Sequence, residues 1–321
     1  MVTETLPAHV VGPTPAEPVV RGPIPVPVVP TVREEQRTGP PAASTAVFVL
    51  AGIMIISVVV VFVGLFAFVL SGLQEQRSQH LLYAQLRGVF APQPTAPSIG
   101  GSIPVGMPIA LINSPQAGMR NVVVVEGTSS SALLAGPGHR RNSPLPGQAG
   151  ESILVGKGMT AGAPFANITR LRKGDIVRVR TGQGGFRYRV VGTLAAGERL
   201  PTTRSNESLL TLVTSAGTGA LGHLAPGHLV YVEARLVGKP VVAPKGAPKT
   251  VSPSEIQGHN EPSAWLFAGL WFIALLAATA VCWWLWSRWG IVQTWIVGAP
   301  VLFGILWGLS NEAMRLLPNV Y

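Results

Sequence analysis

The sequence predicts a mostly β protein: one closed β-barrel held outside a membrane by hydrophobic helices on both sides of it. Three observations carry this. Short apolar or alternating runs separated by Gly and Pro recur through the middle of the chain. Long charge-free apolar runs flank that region. Charged residues are only 12% of the 321 and mean hydropathy is +0.39, so a large share of the chain belongs in lipid.

Residues 1–45 are rich in Pro and Val, as in VVRGPIPVPVVP over residues 19–30. Proline at this density blocks helix and sheet, which predicts a disordered Pro-rich cytoplasmic arm. It does not read as a signal peptide, because the apolar run begins only near Ala46. Residues 46–70 then carry no charge over 25 residues, enough to span a bilayer. Residues 71–102 read as an amphipathic helix, with Leu81, Leu82, Leu86 and Val89 at helical spacing, followed by a Pro/Gly/Ser linker.

The barrel is expected over residues 103–237. Strands are predicted at 109–112, 122–125, 153–155, 176–180, 186–191, 209–213 and 229–234, with an eighth allowed. Val177 and Val179 alternate with Arg178 and Arg180, as in a half-buried strand. A short helix is expected from Phe165 to Arg172. Closure into a barrel would leave no sheet edge exposed. Residues 238–263, with Lys239, Lys245, Lys249 and five prolines, read as a linker.

Two further apolar runs follow, 264–286 and 290–310, joined by a tight turn carrying Arg288. The last contains Gln293, Thr294 and Pro300, so a re-entrant segment is the alternative to a full span. All eight Trp lie between Trp265 and Trp307, and four cluster at the turn, as in an interfacial belt. Cytoplasmic loops favour Arg and Lys, which places Arg288 and the arm with Arg21, Arg33 and Arg37 inside and the barrel outside. The expected location is a multi-pass protein of the cell membrane with its barrel on the extracytoplasmic side.

Composition excludes several chemistries. The formal charge is +10, but no dense basic run or zinc spacing accompanies it, so the charge suits anionic lipid or cell wall rather than nucleic acid. The only cysteine, Cys282, lies in an apolar run, which rules out an intrachain disulfide and an extramembrane thiol nucleophile. Asp175 is the only aspartate, which disfavours calcium loops and paired-aspartate catalysis. No metal, nucleotide or redox cofactor motif is present, so no cofactor is expected.

Several motifs occur in order: VEGT at 125–128, LLAGPGH at 133–139, LPG at 145–147, GAPF at 162–165, LRKGD at 171–175 and LTLVTS at 210–215. Together they resemble the class E sortases of actinobacteria, over about residues 103–236. The resemblance implies a sortase-like barrel, in a family of membrane-anchored cysteine transpeptidases that cut a sorting signal and attach proteins to the cell wall. In that family a His, a Cys and an Arg carry the chemistry. Here Lys157 stands where the His is expected, Ser215 where the Cys is, and His228 near the place of the Arg.

The reaction needs a thiolate nucleophile, a His to protonate the leaving amine, and a cation for the oxyanion. Losing all three predicts a pseudoenzyme whose groove holds an extended cell-surface peptide or acts as a scaffold. The alternatives are an acyltransferase or hydrolase with a Ser215–Lys157 dyad, and a subunit of a larger membrane complex with a membrane-protein partner. Gly156 and Gly158 favour a solvated loop for Lys157. His139 matches a different family His and is expected to fix a loop. Thr214 and Phe165 are further candidates for lining or supporting the groove.

Overall fold

The computed structural model describes residues 45–90, 103–195, 206–217, 228–242, 250–256 and 259–320. The Pro-rich arm through residue 44, the 91–102 linker and residues 243–249 of the second linker lie outside these residues. The chain divides into two units, Met1–Leu50 and Ala51–Tyr321, and the barrel belongs wholly to the second.

Helix α1 (Thr45–Leu65) passes through one π-helical stretch, Phe66–Leu70, into α2 (Ser71–Phe90). The face that α2 buries is more polar than its leucines suggest. Ser71, Glu75 and Leu86 are buried, whereas Leu81 is exposed. Gln79 binds α2 to the barrel: its side chain accepts from the Val123 N–H at 2.7 Å and donates to the carbonyls of Ala135 at 2.8 Å and Val123 at 3.1 Å.

Eight strands follow: β1 (Pro108–Ser114), β2 (Met119–Glu126), β3 (Gly138–His139), β4 (Gly150–Val155), β5 (Ile176–Thr181), β6 (Gly184–Ala195), β7 (Ser208–Ala216) and β8 (His228–Leu236). They close in the order β1-β2-β3-β4-β7-β8-β6-β5. The β2–β3 and β4–β7 pairs are parallel and the rest antiparallel. All seven expected strands form. The eighth, β3, has only two residues, too few for a periodic signal. A one-turn helix α3 (Ser130–Leu133) is capped by the Ser129 side chain.

The barrel interior holds Ile112, Met119, Leu154, Phe165, Tyr188, Leu210, Leu212 and Val232. Phe165 therefore belongs to the core and not to a groove. Its ring fills the space where a side chain on Gly156 would stand, 2.4 Å from a Cβ there. The expected helix over 165–172 is reduced to a 3-10 turn at Ile168–Arg170. Within the stretch expected as a second linker, Glu255 and Glu261 are buried, and the Thr128 hydroxyl donates to the Glu255 carbonyl at 2.6 Å.

Helices α4 (Ala264–Trp289) and α5 (Ile291–Leu316) form the expected hairpin. Both, with the 40 residues of Val49–Gly88, are long and apolar enough to cross a membrane. Helix α5 runs through Pro300 without interruption. Close packing of the pair depends on small residues. A Cβ on Gly308 would lie 2.6 Å from the Trp271 ring, and one on Gly298 would lie 2.8 Å from Cys282 Sγ. A Cβ on Gly269 or Gly304, by contrast, would meet nothing within 4 Å outside its own helix backbone. Phe66, Ala67, Leu134, Ala161 and Met314 form one apolar cluster where α5 and the π-helical stretch meet the barrel.

Candidate functional site

The parallel β4–β7 ladder runs in register to Val155 opposite Val213. The next residues continue the pairing. Gly156 N–H donates to the Val213 carbonyl at 2.9 Å, and Thr214 Oγ1 donates to the Gly156 carbonyl at 3.0 Å. This brings the Lys157 loop against the end of β7, where Ser215 sits. Gly158 passes so close that a Cβ would lie 2.4 Å from the Ser215 carbonyl oxygen.

Strand alternation decides which side chains share a face. Leu210, Leu212, Val232 and Ala234 point into the barrel. Val213, Leu229 and Tyr231 lie on the outer face with Val155 and Leu133, and Ser215 shares that face by parity. Ser215 pairs with Leu229, whereas His228 pairs with Ala216. His228 is thus one position out of register, on the other face, and exposed. The residue facing Ser215 across the ladder is therefore Leu229, an aliphatic one, and His228 does not face Ser215.

Lys157 is 0% exposed, so the expectation of a solvated loop charge fails. Burial lowers its pKa to about 8, partly opposed by the negative charge of Glu261. Glu261 is itself held by Arg315, whose Nη2 and Nε donate to Oε2 at 2.7 and 2.9 Å, and by the Ser131 N–H at 2.8 Å. Burial raises the carboxyl's pKa, but the Ser131 and Arg315 hydrogen bonds outweigh that and lower it overall. A charged row therefore runs from the end of α5 towards the Lys157 loop.

Ser215 is 3% exposed, and its hydroxyl donates to the Val320 carbonyl at 2.7 Å. The Gly158 N–H points at the same oxygen, 3.3 Å away. The segment that follows α5 is thus seated on the outer face of β4 and β7. Nothing in the local sequence of 317–320 signals this, because the contact is long-range.

His139 is buried away from Ser215's partners. Its Nδ1 bonds Glu126 Oε2 at 2.8 Å, and its Nε2 lies 3.0 Å from the Pro144 carbonyl and 3.1 Å from Ser143 Oγ. These contacts tie the 140–146 loop to β3. Among the described residues, no three His, Cys, Asp or Glu side chains cluster as metal ligands would.

Residues 112–235 match the family model for the sortase domain. Among solved structures, the chain is similar to the sortase D5 transpeptidase of Clostridium perfringens (22% identity, 50% of this chain and 99% of that one, TM-score 0.43). It is also similar to sortase E of Streptomyces avermitilis (27%, 43% and 92%, 0.36) and to the SrtA sortase of Actinomyces oris (22%, 48% and 93%, 0.38). No curated protein matches the chain. The chain thus presents an eight-stranded closed barrel of the sortase fold, flanked by helices fit to cross a membrane.

Proposed function

We propose that this protein is a degenerate, class E-like sortase that binds an extended peptide on the extracytoplasmic face of the membrane without acting as a cysteine transpeptidase. The observation that carries this is the direction of the Ser215 hydroxyl. An attacking oxygen gives its proton to a base and aims a lone pair at a carbonyl carbon. Ser215 instead donates its proton to a carbonyl oxygen, the contact that holds a peptide. Leu229 opposite it supplies no charge for an oxyanion. The sole cysteine is in α4.

The orientation draws support from helix ends. The π-helical stretch after α1 and the C-terminal part of α5 pack on the barrel, and Ala264 at the start of α4 bonds to Glu261. The α4–α5 turn with Arg288 then falls on the opposite side of the membrane, as the distribution of positive charge favours.

A second reading, a Ser215–Lys157 dyad, is favoured by the burial of Lys157, which makes its amine a better base near neutral pH than an ordinary lysine. The test is labelling of the full chain with serine-reactive acylating probes from about pH 6 to pH 10. It is run beside Ser215→Ala and Lys157→Met, and repeated without residues 317–321 so that access is not limiting. Absence of Ser215-dependent labelling in every form is the expected result. Labelling abolished by both substitutions would replace the binding reading with a serine acyl-enzyme.

A further inference from the structure

Helix α5 ends at Leu316, yet the chain stays against the barrel for four residues more. Polar contacts run along the whole segment. The Arg315 carbonyl accepts from the Glu261 N–H at 3.1 Å, and the Leu317 carbonyl accepts from Ser130 Oγ at 3.1 Å. Asn319 N–H donates to the His259 carbonyl at 3.0 Å. The Val320 carbonyl takes both the Ser215 hydroxyl and the Gly158 N–H.

Asn319 is the most telling residue. It is 0% exposed, and Nδ2 donates to the carbonyls of Thr128 at 2.7 Å and Ile256 at 3.0 Å. Burying a carboxamide is costly unless such partners exist, and here they are supplied by two separate segments of chain. Val320 drops its side chain among Leu133, Val155 and Val213. A turn that merely finished a membrane helix would need neither the buried carboxamide nor the doubly held carbonyl. Leu317 is extended (φ −73°, ψ 150°), the conformation of a peptide lying in a groove.

We propose that Leu317–Val320 is a cis-acting occupant of the Ser215 groove, a tethered peptide ligand that must leave before any peptide can bind in trans. This rests on the reading of the groove as a peptide-binding site. Its specificity has two points: a carboxamide at the Asn319 position and a carbonyl at the Ser215 hydroxyl. Because the segment is tethered, its effective concentration is of about millimolar order or higher, and a free peptide competes poorly with it. Arg315, fixed to Glu261 where α5 leaves the membrane, couples occupancy to the position of that helix.

The test reads access to position 215 in the full chain, reconstituted in lipid nanodiscs. The variant Ser215→Cys in a Cys282→Ala background is reacted with a soluble maleimide. The intact segment is expected to protect the thiol. Asn319→Ala, or deletion of residues 317–321, is expected to speed the reaction about tenfold or more, as loss of one or two net hydrogen bonds would. A synthetic peptide of residues 316–321 at millimolar concentration should then protect the deleted form again, and the same peptide with Ala for Asn should not. Equal rates with and without the segment would overturn the proposal. So would acceleration that no peptide reverses, because the segment would then be packing and not a ligand. Acylation of Ser215 in the deleted form would overturn the binding reading above while leaving occupancy in place.

Discussion

Lys157→Met offers the sharpest test of the site's energetics. The side chain is fully buried, and its pKa falls from the ordinary 10.5 to about 8. That gap corresponds to roughly 3 kcal/mol of destabilisation by the buried charge. The sign follows from proton binding. Below about pH 8 both folded and unfolded chains hold the proton, and the full cost is present. Between about 8 and 10.5 only the unfolded chain holds it, so raising the pH favours the folded state. Above 10.5 the cost is gone. Methionine keeps much of the volume without the charge. The variant is therefore expected to be more stable than the parent at neutral pH by up to about 3 kcal/mol. For a barrel of this size that is a rise of order ~10 °C in its transition. The difference should shrink steadily as the pH approaches 10.5. Calorimetry of the full chain in detergent, wild type against variant at a series of pH values, reads this directly. Taking the difference cancels other titrating groups. A wild type more stable than the variant at neutral pH, or a gap that does not narrow in alkali, would refute the reasoning.

Other expectations follow from the same geometry. Gly156→Ala would place a methyl 2.4 Å from the Phe165 ring, and should destabilise the barrel by about 1–3 kcal/mol in the same calorimetric assay. Arg315→Met leaves the buried Glu261 carboxylate with the Ser131 N–H and without its cation. A loss of about 2 kcal/mol is expected, seen as faster hydrogen exchange in residues 259–264 and 315–320. Because the Glu261 pKa is lowered in the folded chain, its contribution is present above the ordinary carboxylate range and is lost as pH falls through the folded value. The same amides should therefore loosen in acid in the wild type but less so in Arg315→Met. His139→Ala removes the contacts to Glu126, Ser143 and Pro144. It should cost about 2 kcal/mol and free the 140–146 loop to proteolysis, without changing maleimide access at position 215.

The strands were legible because their pattern is local. Val177 and Val179 against Arg178 and Arg180 need no tertiary information, and neither does the charge-free run beginning at Ala46. The site was legible as positions but not as environments. Gly156 and Gly158 look like signs of a loose loop. In the fold they are glycines because Phe165 and the Ser215 carbonyl approach too closely for a side chain. Lys157 is buried by that same tight passage. That His228 faces away from Ser215 could not be read locally, because facing depends on the partner strand and the β7–β8 register is fixed only when the ladder forms. The polar face of α2 escaped for a related reason: Ser71 and Gln79 look solvent-directed until the Ala161 N–H and the Val123 backbone arrive to meet them. The 317–320 segment had no local signal at all.

The helix that leads into the barrel also sets a distance. From Ala51 to Phe90 it rises about 60 Å, at about 1.5 Å per residue. A hydrocarbon layer of ordinary thickness would account for about half of that. The remainder is a stiff post, bolted to the barrel by Gln79 and by Ser71, whose Oγ accepts from the Ala161 N–H at 3.0 Å. A domain on a slack tether samples a hemisphere of space, whereas one fixed to a post holds each of its faces at one height and one bearing along the helix. One residue added to the helix before Phe66 would swing a given face through about 100° while lifting it only about 1.5 Å. A whole added turn would lift it about 5 Å and nearly restore its bearing.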